Sequence, residues 1–121
     1  MMHALLKHIG KGVYAVDSAN DDCLLALAHF LTDGGSADLF KSWIESTNEG
    51  EVDGKVTYIE KFGDQMRVNL EPSVTNKKAT MVTNKFELLN VIKRFNQLIA
   101  DSPAEILIRR DNGKIVLEQK R

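Results

Sequence analysis

Two adjoining signals between Thr83 and Glu118 restrict the fold more than anything else in the chain: a capped amphipathic helix and, after a proline stop, a two-residue β-hairpin. Asn84 stands three residues before Glu87, the spacing of a capping box: the Asn84 side chain would accept from the N–H of Glu87, and the Glu87 carboxylate would reach back to the N–H of Asn84. Leu88, Val91, Ile92, Phe95, Leu98 and Ile99 then recur at helical spacing and fill an arc of roughly 120°. Glu87, Asn90, Lys93, Arg94, Gln97 and Asp101 occupy the rest of the wheel. Ser102-Pro103 stops the helix, because proline lacks the N–H and disfavours helical geometry in the residue before it. Asn112-Gly113 suits a type I′ turn, whose two central residues both need positive φ. That turn sets a register in which Arg110 faces Ile115, Ile108 faces Leu117 and Ile106 faces Gln119. Ile106, Ile108, Ile115 and Leu117 then share one apolar face, with Leu107, Arg109, Val116 and Glu118 on the other.

Before this unit, Met2–Ile9 reads as a short strand or one helical turn; the Gly10-Lys11-Gly12 turn and a strand at Val13–Val16 favour an N-terminal hairpin. Asn20 or Ser18 is expected to cap a helix with Asp21 and Asp22 at its positive end. From Cys23 to Leu31 that helix is apolar nearly all round, the pattern of an element buried on most sides. Gly34-Gly35 would end it, and Ser36 would cap a second, shorter helix in which Leu39, Phe40, Trp43 and Ile44 share a face. Residues 46–54 read as a polar loop. Lys55–Phe62 and Gln65–Glu71 form a hairpin around Gly63-Asp64, with Ile59 facing Val68, Thr57 facing Leu70, and an outer Glu60–Arg67 ion pair. Pro72 ends that strand, Asn76-Lys77 allows a turn, and Ala79–Val82 gives a further strand. The expected class is α+β: an antiparallel sheet built from hairpins, a long amphipathic helix packed on one face, and two helices near the N-terminus, all in a single domain spanning 1–121.

The single cysteine, Cys23, excludes an internal disulfide framework and fits a reducing compartment. The apolar run Ala4-Leu5-Leu6 is broken at Lys7 with no basic segment before it, so no signal peptide is expected. No stretch approaches the ~20 apolar residues of a membrane span. A cytoplasmic protein is the expectation. Net charge is −1, unevenly spread: residues 1–54 hold three basic and nine acidic residues (−6), and residues 55–121 hold thirteen basic and eight acidic (+5). The nine acids are Asp17, Asp21, Asp22, Asp33, Asp38, Glu45, Glu49, Glu51 and Asp53. They suit an acidic face that steers a basic partner.

Catalytic patterns are sparse. Cys23 in a first helical turn has a position that can lower a thiol pKa, but Asp21 and Asp22 oppose a thiolate; a small buried hydrophobe is the better reading. His3 and His8 are five residues apart and His29 lacks a spaced partner, so no metal is expected. Gly10-Lys11-Gly12 lacks the spacing of a phosphate loop. Lys93, Arg94, Arg109, Arg110, Lys114, Lys120 and Arg121 would make a nucleic-acid patch, but Arg109 and Arg110 point to opposite faces of one strand, and the pI is about 6.3. Nucleic acid is a minor alternative as partner, a small-ligand-binding or catalytic domain is another, and no cofactor is expected.

Small size, one domain, no catalytic set and the acidic stretch Asp17–Asp53 together resemble the immunity proteins of bacterial toxin–immunity systems, including those of contact-dependent growth inhibition. The resemblance lies in architecture and charge across the whole chain. It implies a non-enzymatic inhibitor that binds a cognate toxin domain, often a nuclease, and blocks its active or substrate-binding surface. On that reading the nine acids, with Trp43 as an aromatic anchor, meet a basic toxin surface. For Trp43, core packing beside Leu39 and Phe40 is the favoured alternative.

Overall fold

The computed structural model describes residues 2–33, 36–75 and 78–120, without the side chains of Ser36, Val74 and Thr75. The helix stop expected at Gly34-Gly35, the Ser36 cap, the turn at Asn76-Lys77 and Arg121 lie outside that description. In chain order the elements are β1 (His3–Gly10), β2 (Val13–Ala19), α1 (Asp22–Thr32), α2 (Ser36–Leu39), α3 (Lys41–Glu45), β3 (Gly50–Asp53), β4 (Thr57–Phe62), β5 (Gln65–Leu70), α4 (Pro72–Thr75), β6 (Ala79–Asn84), α5 (Lys85–Ile99), β7 (Glu105–Asp111) and β8 (Lys114–Lys120).

The class is α+β, and the hairpin strands divide between two antiparallel sheets where the pattern predicts one. The first sheet runs β2-β1-β7-β8 and the second β3-β4-β5-β6. Each sheet has an apolar face to cover, and α1 covers parts of both, packing against β1 and β2 on one side and β5 and β6 on the other. This is why α1 is apolar nearly all round: Leu24, Ala26, Leu27, Ala28, Phe30 and Leu31 are buried. Its cap is Asp21, whose carboxylate accepts from the Leu24 N–H at 3.0 Å, rather than Asn20 or Ser18. Asn20 instead accepts from the His3 N–H at 2.7 Å, closing the end of the first hairpin.

Helix α5 follows the expected wheel, with Leu88, Val91, Ile92, Phe95 and Leu98 buried and Ile99 partly so. Half of the capping box forms: Asn84 accepts from the Glu87 N–H at 2.9 Å. The Glu87 carboxylate turns to the Thr83 hydroxyl at 2.5 Å, because Asn84 is also the last residue of β6, paired with Gln65. Past the helix, the Pro103 carbonyl accepts from the buried Tyr14 hydroxyl at 2.6 Å, and Tyr14 meets Phe95 edge-on, tying β2 to this end of α5. The β7–β8 register is the expected one, around Asn112 (φ 51°) and Gly113 (φ 77°).

Two local expectations fail, and a third holds with an addition. The 46–54 loop contains β3, whose four residues alternate exposure and pair along β4; a strand so short and so acidic shows little hydrophobic alternation. The short helix after Ser36 breaks into α2 and α3, leaving Leu39 76% exposed while Ile44 is buried. Pro72 ends β5 but also opens α4, a place that proline's fixed φ favours.

Candidate functional site

Strand β4 decides the polar chemistry, because its alternating side chains enter two different environments. Thr57, Ile59 and Lys61 point inward and are buried; Tyr58, Glu60 and Phe62 point outward. On the inner side, the Asp33 carboxylate accepts from the N–H groups of Lys55, Val56 and Thr57 at 3.0, 3.0 and 3.3 Å and from the Thr57 hydroxyl at 3.1 Å. Asp33 is 5% exposed. It is a clasp between the end of α1 and the approach to β4, and is withdrawn from any surface.

Lys61, 1% exposed, is the opposite charge on the same inner face. Its ammonium donates to the carbonyls of Trp43, Ile44 (3.1 Å) and Ser46 (2.7 Å) and lies 4.6 Å from the centre of the Trp43 ring. These carbonyls end α3, where a cation also meets the negative end of the helix. Burial, with Lys85 nearby, holds the Lys61 pKa below its usual value against the opposing pull of Glu49. Trp43 is half-buried, packed against the core and the Lys61 ammonium.

On the outer face, pairing sets Glu51 beside Glu60 and Asp53 beside Tyr58. Glu71 follows at the end of β5. Desolvation against the sheet comes first, then the charge of Asp53 and a side-chain hydrogen bond with it, then the charges of Glu60 and Glu71, in holding the Glu51 carboxyl above its ordinary pKa, although the residue is exposed. Burial and the same four carboxylates raise the Tyr58 phenol. Asn69 bridges the centre of this face, donating to Glu60 at 3.0 Å and accepting from Thr80 at 2.7 Å. Arg67, paired with Glu60 and Val82, is the basic residue of the face; among the described residues no ion pair joins it to Glu60. The same face carries two exposed apolar side chains, Phe62 at 57% and Val82 at 54%.

Of the ten residues singled out by sequence, the structure therefore brings Glu51 and Asp53 together and scatters the rest. Asp17 sits exposed on edge strand β2, skipped between the Ser18–Leu5 and Val16–Leu6 pairs as a bulge. Asp21 is the α1 cap and Asp22 lies in that helix's first turn. Asp38 accepts from Asn96 at 2.8 Å, Glu49 accepts from the Gly63 N–H, and Glu45 is exposed at the end of α3. Glu60, Glu71, Tyr58, Phe62 and Val82 are the members that sequence reasoning missed. Three of them alternate outward along β4, a signal present in the register of its hairpin. Glu60 and Glu71 were hidden because they belong to the half of the chain with positive net charge.

The basic residues split as their strand positions require. Arg109 is held by Asp111 at 3.2 Å and Glu118 at 3.0 Å, while Arg110 shares the Ile115 side of the hairpin, Arg94 lies on α5, and Lys114 is exposed beside the turn, paired in register with Asp111. Cys23 is half-buried against the core. Among the described residues no three metal-ligating side chains converge, and no helix is long and apolar enough to cross a membrane. The chain matches no family model, no curated protein and no solved structure.

Proposed function

We propose that this chain is a non-enzymatic protein-binding inhibitor of the immunity type, acting in the cytoplasm, and that the outer face of the β3-β4-β5-β6 sheet is its working surface. The observation that carries this reading is the coexistence on one open sheet face of four carboxylates, Glu51, Asp53, Glu60 and Glu71, with exposed Phe62 and Val82. Desolvation against the sheet and, after it, the neighbouring carboxylates disfavour the charged form of Glu51. A basic partner relieves the repulsion among these carboxylates and accelerates encounter, while the apolar pair offers anchors that lose water on contact. A toxin domain with a nucleic-acid-binding surface is a partner of the required sign, and covering that surface would block substrate.

The test is co-expression with the toxin domain encoded beside this chain's gene. The wild type should restore growth and purify as a stoichiometric complex. The combined variant E51K/E71K/F62S should keep its thermal transition and lose both properties. Protection by that variant, or a gene neighbour carrying no toxin, would overturn the reading.

A further inference from the structure

A second surface, built on a strand of the other sheet and opposite in charge, carries an independent proposal. We propose that the groove between α5 and β8 binds a small amphiphilic anion: one carboxylate or phosphate head on an apolar body.

The groove has a volume of about 430 Å³, within the usual range for small-molecule sites. Val91, Ile115 and Leu117 give it apolar walls, and Arg94 and Lys114 line it with positive charge. Arg94 is already oriented, since its Nε donates to the Leu117 carbonyl at 3.2 Å. That bond leaves the remaining N–H groups of the guanidinium fork for a planar or tetrahedral anion. Arg110 is the cross-strand partner of Ile115 and so shares the groove's side of the hairpin. Its Nε is buried and has no acceptor among the described residues, an unfavourable state that an anionic head placed beside it would relieve. The acid in the lining, Glu87, accepts from the Thr83 hydroxyl at the start of α5. Among the described residues Arg94, Arg110 and Lys114 have no carboxylate partner, in contrast to Arg109 on the other side of the same strand. Arg94 and Lys114 in the lining, with Arg110 beside the Ile115 wall, select for charge at one end of a ligand and hydrocarbon at the other. A bare anion would leave the apolar walls wet, and a neutral lipid would leave the guanidinium groups unmatched.

The experiment titrates the full ¹⁵N-labelled chain with octanoate, octyl phosphate, octanol and inorganic phosphate, following amide shifts. Saturable shifts should centre on Val91, Arg94, Ile115 and Leu117 with at least one of the two octyl anions, and the tighter of these identifies the head group. Octanol and inorganic phosphate should bind roughly tenfold more weakly or worse, and R94Q and R110Q should each weaken the octyl anion by a similar factor. If either arginine variant loses its dispersed spectrum, K114Q at the exposed turn should still reduce affinity. Equal binding of octanol or of inorganic phosphate would overturn the proposal. So would shifts centred on Ile9 and Val13 or on Phe62 and Val82, wild-type affinity in the variants, or no saturable binding. None of these outcomes depends on a toxin partner, so the proposal and the inhibitor reading can fail separately.

Discussion

The two faces of the β3-β4-β5-β6 sheet use the same kinds of residue for opposite purposes. Inside, one oxygen of Asp33 and the ammonium of Lys61 each gather several backbone hydrogen bonds, and both residues are backbone clasps. Outside, Glu51, Asp53, Glu60 and Glu71 crowd one another, and the hydrogen bond that Glu60 accepts from Asn69 leaves their negative charge in place. A buried charge survives folding only when its lost hydration is replaced by protein dipoles. An exposed charge keeps its water and can remain unmatched until a partner arrives. The difference separates charge used to build the molecule from charge available for recognition.

Asp33→Ala should produce the largest effect in that comparison. It strands three N–H groups and a hydroxyl and should cost about 3 kcal/mol in denaturant unfolding; Asp33→Asn keeps an acceptor oxygen and should cost less. A loss for the alanine variant below about 1 kcal/mol would mean that the clasp is replaceable by solvent. Lys61→Met comes next, at about 2 kcal/mol, since the Trp43 carbonyl retains the Ser46 hydroxyl as a donor while the Ile44 and Ser46 carbonyls lose their ammonium. An unchanged unfolding midpoint there would show that α3 needs no cation at its end.

The outer face should respond weakly in stability and strongly in binding. Glu51 has a raised pKa in the folded state, so the folded chain holds more protons than the unfolded chain between the ordinary carboxylate value and the raised one. The contribution is fully present below the unfolded pKa and is lost as pH rises through the folded one. Stability of the wild type should therefore carry a negative slope with pH from this group across that window, and E51Q should remove it when unfolding is measured at closely spaced pH values. The smallest expected change is a slight rise in the thermal midpoint of E51Q/E71Q at neutral pH, because two repelling charges are gone. A clear fall would mean that these carboxylates are structural after all and that the contrast between the faces is false.

Much of the fold was legible because it rests on local rules. The α5 wheel, the Asn84 cap, the Asn112-Gly113 turn and the registers of both later hairpins follow from periodicity and turn geometry over a few residues. Strand β3 was not legible, since four residues with two acids resemble a loop until β4 supplies their hydrogen bonds. The acidic site was legible in its residue type and misplaced in its membership. Counting charge along the chain joins Asp17 to Asp53, whereas a sheet joins Glu51 to Glu60 and brings Glu71 close.

By itself the sequence determined the α+β class, the helices α1 and α5, and the pairing within hairpins, because each depends on side-chain spacing and backbone preference over short range. Only the tertiary structure decided that the strands form two sheets around α1, that Asp33 and Lys61 are enclosed, and that Glu51, Asp53, Glu60 and Glu71 share an open face. These outcomes depend on which side of a strand finds cover and which keeps its water. That choice is made by elements distant in the chain, and no local pattern records it.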